Sequence, residues 1–366
     1  MRQLSRQNRT AKVLVHDANT GLRGTLASKL KFLAWSALAI PILVAPVLLV
    51  VFLLLFGGNQ VARELLVDFS EQPIDIVYFG DSVVRAFSGC EARTHGIDDL
   101  LRASAPSTIA TVAGAGYTAQ QYTVLSGLFD VTEYKPRTAV IPINMRSLSL
   151  TWGENPDWQF GADMQYVRIL SGNWQSIPPF VATSLFDDKE EEREVFLQKN
   201  VTAAAINYGS LEKLAEQAAG VPLNLECEAN AEIYEDALRA KFTINYMFDL
   251  QRNHPLLGTL VTLANDLQNR EISSIFYLTP INVVDGTALV GPAFRDTLAR
   301  NVSVIAAVLE ENGIEFLDMT HDLPGAHFSD KGCACEHLTF EGRQHVASRL
   351  SKALADHPAA AGASPQ

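Results

Sequence analysis

The sequence has few cysteines, and none of the four belongs to a CxxC pair. The Cys333-Ala334-Cys335 segment has no second cluster to accompany it, and Cys90 and Cys227 lie far from it along the chain. Structural zinc sites need such clusters, so we expect no metal site and no cofactor. Four cysteines instead fit an exported domain that forms disulfides, with three possible full pairings.

Positive charge is scarce outside the first 31 residues. That segment holds seven of the 29 Lys and Arg residues but only one of the 41 acidic residues, Asp17, which leaves 22 basic against 40 acidic residues in the rest of the chain. Proteins that bind nucleic acids neutralise phosphates with an excess of basic residues. The acidic body therefore argues against a nucleic-acid partner.

Charge is absent altogether between residues 32 and 62, and Leu33 to Phe56 is almost wholly apolar. These residues are numerous enough to cross a hydrocarbon core of about 30 Å as a helix. Pro41 and Pro46 would kink that helix, which lipid-embedded helices tolerate. We predict a transmembrane helix over 32–58, a basic cytoplasmic segment over 1–31 and a periplasmic or extracellular body, because basic flanks stay in the cytoplasm.

A cleaved signal peptide is the alternative interpretation of the same segment. Its apolar region is usually about 7–15 residues long and ends at a cleavage site of small residues. The apolar run here is longer, its basic leader is about thirty residues long, and residues 56–60 offer no A-x-A site. We therefore expect an uncleaved anchor.

Beyond a short linker over 59–72, strands and helices alternate, and no repeat of fixed period is visible. A buried strand ends at Gly80-Asp81-Ser82, and further strands are predicted over 108–114, 138–144, 273–279 and 314–319. Helices are predicted over 118–128, 292–311 and 340–355, with a broken helix pair over 83–101. This alternation is typical of parallel sheets and predicts one three-layer α/β/α domain over 73–356, with about five parallel strands.

Residues 148–260 interrupt the alternation and are predicted to be an insertion at the carboxyl edge of the sheet. It is rich in aromatic residues, among them Trp152, Trp158 and Trp174, with Phe160 and Tyr166 between them. Such side chains stack on sugar rings in some proteins but more often pack into the protein itself. The tail over 357–366 is rich in Pro, Ala and Gly and is predicted to be disordered.

Polar residues follow several of the predicted strands, and together they suit acyl transfer. A hydroxyl nucleophile needs a base within hydrogen-bond reach and donors for the oxyanion. Ser82 offers the hydroxyl and its own N–H, Gly116 a backbone N–H without a Cβ in the way, Asn144 a side-chain amide, and His337 the base. Three of the four have a structural alternative: Ser82 or Asn144 as a helix cap, and Gly116 as a turn glycine.

These four blocks, in this order, resemble the SGNH (GDSL-type) hydrolase family over about residues 73–147 and 273–355. Gly80-Asp81-Ser82 is similar to the block of the nucleophile, and Gly114-Ala115-Gly116-Tyr117-Thr118 to the block of the oxyanion glycine. Ile141-Pro142-Ile143-Asn144 is similar to the block of the oxyanion amide, and His337-Leu338-Thr339-Phe340-Glu341-Gly342 to the block of the histidine. The resemblance implies a flavodoxin-like fold with Ser82 and His337 as catalytic residues and Gly116 and Asn144 as oxyanion donors.

The sequence departs from the family pattern at two places. The carboxylate that usually stands three residues before the histidine is replaced by Ala334, so His337 lacks its usual orienting partner. Asp330 is the best substitute if the Cys-bearing segment is a small insertion, and Glu336 adjoins His337 in a position poorly suited to reach its ring. In the third block, Pro142 and Met145 replace the usual Gly and Asp.

The function expected from this resemblance is a membrane-anchored, extracytoplasmic serine esterase. By resemblance, its substrates are acyl esters of envelope glycans, in particular O-acetyl esters. An O-acyltransferase would use the same residues. The other alternative is a non-catalytic binding or assembly module of an envelope complex, which Ala334 favours; that alternative gains if the His337 ring lies far from Ser82 or lacks a carboxylate partner.

Overall fold

A computed structural model describes residues 59–87, 91–105, 107–149, 156–186, 211–220, 234–329 and 334–357. The segments predicted to be cytoplasmic and transmembrane, 1–31 and 32–58, lie outside these ranges, as do residues 358–366 of the predicted tail. Within the described ranges, no helix is long and apolar enough to span a bilayer.

The centre of the domain is a sheet of five parallel strands. They are β1 (Ile76–Gly80), β2 (Ile109–Ala113), β3 (Thr138–Ile143), β4 (Ser273–Leu278) and β5 (Phe316–Asp318), in the spatial order β2-β1-β3-β4-β5. Every pairing in the sheet is parallel. This is the flavodoxin-like strand order, with its reversal between β1 and β3. The prediction of an α/β domain with five parallel strands is confirmed.

Helices connect the strands. In chain order they are α1 (Gln60–Glu71), α2 (Ser82–Arg85), α3 (Ile97–Ser104), α4 (Ala119–Ser126), α5 (Pro156–Leu170), α6 (Ile177–Phe186), α7 (Leu211–Ala219), α8 (Glu235–Tyr246), α9 (Pro255–Asn269), α10 (Val283–Val290), α11 (Ala293–Glu311) and α12 (Phe340–Asp356). Short 3₁₀ turns lie at Gly127–Asp130, Met145–Leu148, Trp174–Ser176 and Gly325–His327.

Both faces of the sheet are buried, because successive side chains of a strand point to opposite sides. Val77 and Phe79 of β1 pack with α1, α4, α9 and α11 in one apolar cluster. Tyr78, between them in sequence, packs with α2, α3 and α12 in the other. The domain therefore has three layers, as the alternation of strands and helices predicts.

The segment predicted to be a linker is helix α1, which belongs to the domain core. Asn59 caps the helix, since its Oδ1 accepts a hydrogen bond from the Ala62 N–H at 2.9 Å. Ala62, Leu65 and Phe69 recur every three or four residues and are buried against the sheet. Burial of this apolar stripe, rather than linker flexibility, determines the conformation of the segment.

The described part of the insertion is helical, and it ends earlier than predicted, because α9 already packs on the sheet from Pro255 onward. Tyr166 is buried against Phe180, and the Phe160 ring meets the Tyr117 ring edge-on at 5.3 Å, so both aromatics pack into the protein. Trp174 is 67% exposed. Trp152 and the side chain of Trp158 lie outside the described residues.

Candidate active site

Ser82 lies two residues beyond the end of β1, at the start of α2. The cap of α2 is Asp81, whose Oδ1 accepts a hydrogen bond from the Val83 N–H at 2.9 Å. Gly80 lets the helix approach the strand closely, because a Cβ there would lie 2.2 Å from Val84 Cγ2. The interpretation of Ser82 as a helix cap is therefore wrong, and its hydroxyl is left for another partner.

That partner is His337. Ser82 Oγ lies 3.0 Å from His337 Nε2, although 255 residues separate the two in sequence. Both side chains are partly exposed, so this pair is accessible from solvent. A hydroxyl at this distance from an imidazole nitrogen can lose its proton to the ring as it attacks an electrophile.

A short antiparallel pairing holds the segment of His337. The Ser329 N–H donates to the His337 carbonyl at 3.0 Å, and the Thr339 N–H donates to the His327 carbonyl at 2.8 Å. Thr339 then caps α12 by accepting a hydrogen bond from the Gly342 N–H. His337 therefore lies between the backbone pairing with Ser329 and the start of helix α12. Asp330, the expected third member, follows Ser329 in the chain and lies outside the described residues.

Asn144 follows the end of β3, as Ser82 follows the end of the neighbouring strand β1. The ladder between β1 and β3 pairs Tyr78 with Val140, and Ser82 and Asn144 each come four residues later. The hydrogen-bonded ladder between β1 and β3 ends at Tyr78 and Val140. Pro142, two residues further along β3, has no N–H to donate to β1. The site therefore opens between β1 and β3, the strands at which the sheet order reverses.

The side chain of Asn144 is buried and has two bonds. Its Oδ1 accepts from the Arg146 N–H at 3.1 Å, so Asn144 caps the Met145–Leu148 turn. Its Nδ2 donates to Asp81 Oδ2 at 3.1 Å. Because an amide nitrogen carries two hydrogens, this arrangement leaves one N–H beyond that bond. The capping role and the oxyanion role are therefore compatible.

Gly116 lies in a tight turn after β2. The Tyr117 N–H donates to the Gly114 carbonyl at 3.0 Å, and Gly116 has a φ of 78°. A positive φ at the third position is the signature of a type II turn and explains why glycine stands there. Gly80 pairs with Ala113, so this turn flanks the start of α2. The turn requirement accounts for glycine at residue 116 whether or not its N–H also binds an oxyanion.

No motif in the sequence predicts the buried ion pair between Glu336 and Arg146. Glu336 is fully buried, and its Oε2 lies 3.4 Å from the Nε of Arg146, whose side chain is 14% exposed. Burial raises the pKa of Glu336 above its ordinary value, and the positive charge of Arg146 offsets this rise only in part. Tyr246 at the end of α8 borders the carboxylate, and its own pKa is raised by burial and then by Glu336.

Cys335 is disulfide-bonded, and all three possible partner cysteines lie outside the described residues. The disulfide expected from the cysteine content is therefore present two residues before His337. In the parts of the chain that the structure describes, no three His, Cys, Asp or Glu side chains group as metal ligands would.

Comparison with known proteins finds distant structural likeness. No family model and no curated protein matches the chain. A GDSL-like lipase from Bacteroides thetaiotaomicron is similar at 12% identity and a TM-score of 0.36, over 81% of this chain and 97% of the lipase. A catalytic mutant of an acetylxylan esterase from Geobacillus stearothermophilus is similar at 13% identity and a TM-score of 0.34, over 76% of this chain and 93% of the esterase.

A carbohydrate acetylesterase family member from Sinorhizobium meliloti is similar at 10% identity and a TM-score of 0.32, over 77% of this chain and 97% of the other. TM-scores below 0.5 are too low to support a conclusion about this chain. The chemistry of the site therefore depends on its own geometry.

Proposed function

We propose that this protein is a serine esterase of the SGNH type. The observation that carries the proposal is the 3.0 Å separation between Ser82 Oγ and His337 Nε2 at the carboxyl edge of a parallel sheet. The Asn144 amide, which donates to Asp81 next to Ser82, adds a donor for the oxyanion. Nucleophile, base and oxyanion donor are the parts that acyl transfer requires.

In the first half of the reaction, Ser82 Oγ attacks the ester carbonyl carbon and His337 Nε2 takes the hydroxyl proton. The negative charge that develops on the carbonyl oxygen is bound by Asn144 Nδ2 and by the N–H groups of Ser82 and Gly116. The intermediate collapses, the bond to the alcohol oxygen breaks, and His337 returns the proton to the leaving alcohol.

In the second half, water attacks the acyl-enzyme. His337 takes a proton from the water, the bond between the acyl carbon and Ser82 Oγ breaks, and the proton passes back to the serine. The products are the carboxylic acid and the free enzyme. Neither half of the reaction requires a metal or cofactor.

We propose Asp330 as the residue that orients His337. Ser329 pairs with His337 through their backbones, and Asp330 is the next residue in the sequence. A carboxylate that accepts the Nδ1–H of the ring would leave Nε2 to face the serine. Glu336 is the weaker choice, because its carboxylate borders Arg146 and Tyr246.

For substrate and location, we propose O-acetyl or related acyl esters of envelope glycans, hydrolysed outside the membrane by a body anchored through residues 32–58. The support is the charge-free apolar run after a basic leader, together with the disulfide at Cys335, which suits an oxidising compartment. Acyl transfer to a sugar hydroxyl would use the same residues. The non-catalytic alternative loses support, because the His337 ring is within reach of Ser82.

The experiment that tests the proposal measures hydrolysis of 4-nitrophenyl acetate by the full-length chain and by Ser82→Ala. We expect the variant to lose about 10⁵- to 10⁶-fold in kcat. Equal rates for the two proteins would refute both esterase and acyltransferase activity. Adding an acylated glycan or an acceptor glycan and following acetate release against acetyl transfer distinguishes the two reactions.

A further inference from the structure

Glu336 is a fully buried carboxylate immediately before His337. Its partners are the side chain of Tyr246, which hydrogen-bonds to the carboxylate, and Arg146, whose Nε lies 3.4 Å from Oε2, so the charge is paired at long distance only. A buried charge with incomplete pairing costs stability. Such an arrangement at a site residue calls for a role other than stabilising the fold.

Arg146 joins two parts of the proposed site. Its backbone N–H holds Asn144 Oδ1 at 3.1 Å, which fixes the direction of the amide, and its guanidinium pairs with Glu336. One residue therefore connects the proposed oxyanion amide to the residue that precedes the proposed base. The Arg146–Glu336 pair is therefore one contact between these two elements.

Helix α8 supports the same segment from the other side. Asn245 Nδ2 donates to the Ala334 carbonyl at 3.2 Å, and the adjacent residue, Tyr246, borders Glu336. Tyr246 is itself fixed, since it is fully buried and its ring meets the Phe294 ring edge-on at 5.9 Å. The insertion thus reaches the histidine segment through the end of α8.

We infer that Glu336 is a positioning residue for the Ser82–His337 pair, acting through Arg146 and with Tyr246 as its packing partner. It holds the Asn144 turn, the end of α8 and the His337 segment in one arrangement. The inference rests on the proposed esterase function and adds residues that the SGNH resemblance does not supply.

The test compares Glu336→Gln, Arg146→Met and the double variant with the wild type, using kcat and KM for 4-nitrophenyl acetate. We expect each single variant to lose about tenfold in kcat, with KM within about twofold of wild type, because ground-state binding is not the function of the pair. The double variant should lose no more than the larger single loss, since both substitutions break the same link. Additive losses, or an unchanged kcat, would overturn the inference.

A loss of folding would imitate the effect, so stability is measured on the same samples. Glu336→Gln should unfold at or above the wild-type temperature at neutral pH, because it removes a buried charge. The matched control is Asp130→Asn, which breaks the 2.7 Å ion pair with Arg270 at the opposite edge of the sheet. It should leave kcat unchanged. If kcat falls in Glu336→Gln only in proportion to its loss of folded protein, the positioning role is refuted.

A crystallographic measurement separates this inference from the proposed function. Wild-type protein without esterase activity would refute the function alone. The distance between Ser82 Oγ and His337 Nε2 in Glu336→Gln crystals still tests positioning, and we expect it to exceed the 3.0 Å of the wild type. An unchanged distance and an unchanged Asn144 amide would refute the positioning role whatever the activity.

Discussion

The side-chain amide of Asn144 donates a hydrogen bond to the carboxylate of Asp81 at 3.1 Å, and Asp81 is the residue that caps the helix of Ser82. The proposed oxyanion donor and the proposed nucleophile are therefore oriented by one buried carboxylate. Their separation is set by this contact and by the shared register of β1 and β3, rather than by flexible loops.

The first prediction concerns Asn144. Asn144→Ala should lower kcat for 4-nitrophenyl acetate by about 10²- to 10³-fold, because one oxyanion donor is lost. Asn282→Ala is the matched control, since Asn282 is also a buried asparagine that caps a turn of helix, at α10. The control should lose about 1 kcal/mol of unfolding free energy and little activity. Equal kcat losses in both variants would contradict the oxyanion role.

The second prediction concerns Gly116. Gly116→Ala should cost about 1–2 kcal/mol of unfolding free energy, because alanine is strained at a φ of 78°. Alanine keeps the backbone N–H, but the strained turn would shift this donor away from the oxyanion, so kcat should fall as well. Gly313→Ala is the control, since Gly313 has a φ of 69° and open space around it, before β5 at the far edge of the sheet. It should lose similar stability and keep its kcat. A kcat unaffected by Gly116→Ala would reduce Gly116 to a turn residue.

The third prediction concerns Asp330. Asp330→Asn should lower kcat by up to about 10⁴-fold if this carboxylate holds the His337 tautomer. Asp322→Asn serves as the control: Asp322 forms an ion pair with Arg349 at 2.8 Å and is not proposed to touch His337. Full activity in Asp330→Asn would remove Asp330 from the site.

The fourth prediction concerns the pH dependence of stability through Glu336. Its pKa is raised in the folded protein, so above the ordinary value of 4.5 the unfolded chain loses this proton first and folding becomes less favourable as pH rises. Glu336→Gln has no such proton. Its unfolding free energy relative to wild type should therefore increase as pH rises from about 4 to above the folded pKa. Urea unfolding across that range measures the difference, and a flat difference would contradict the raised pKa.

Asp98 should show the opposite dependence of stability on pH, because its pKa is lowered in the folded protein. Burial would raise the pKa of Asp98, but hydrogen bonds from Arg85 and Thr111 and the charges of Arg85 and Arg102 lower it on balance. The stabilisation it supplies is therefore present above the ordinary pKa of 3.8 and lost as pH falls below it. Asp98→Asn should be most destabilising at neutral pH and less so in acid, the reverse trend to Glu336→Gln.

The fifth prediction concerns residues 32–58. The full-length chain should remain in the membrane pellet after alkaline carbonate extraction, and its mass should include the basic leader. The Leu48→Arg and Val51→Arg double variant should be released, because each arginine near the centre of a span costs about 2.5–3.5 kcal/mol of insertion. A protein shortened to the body would instead indicate a cleaved signal peptide.

Much of the fold is predictable because the relevant signals are local. Runs such as Ile76 to Phe79 are apolar and rich in β-favouring residues, and Thr118 caps α4 through a reciprocal pair of bonds with Gln121. For residues 59–72 the sequence predicts a linker with helical character, whereas in the structure α1 is part of the core. Its helical pattern is visible in the sequence, but whether Leu65 and Phe69 find an apolar surface depends on strands that come later in the chain.

The sequence alone determined the identity of the chemical groups and the edge of the sheet at which they meet, because parallel strands deliver their carboxyl ends to one side. That is sufficient to single out Ser82, Asn144 and His337 as candidate site residues. Tertiary structure alone decided that Asp81 rather than Ser82 caps α2, that Asn144 caps a turn and faces Asp81 at once, and that Glu336 meets Arg146. These outcomes depend on side-chain direction and burial across long sequence separations, which no local pattern encodes.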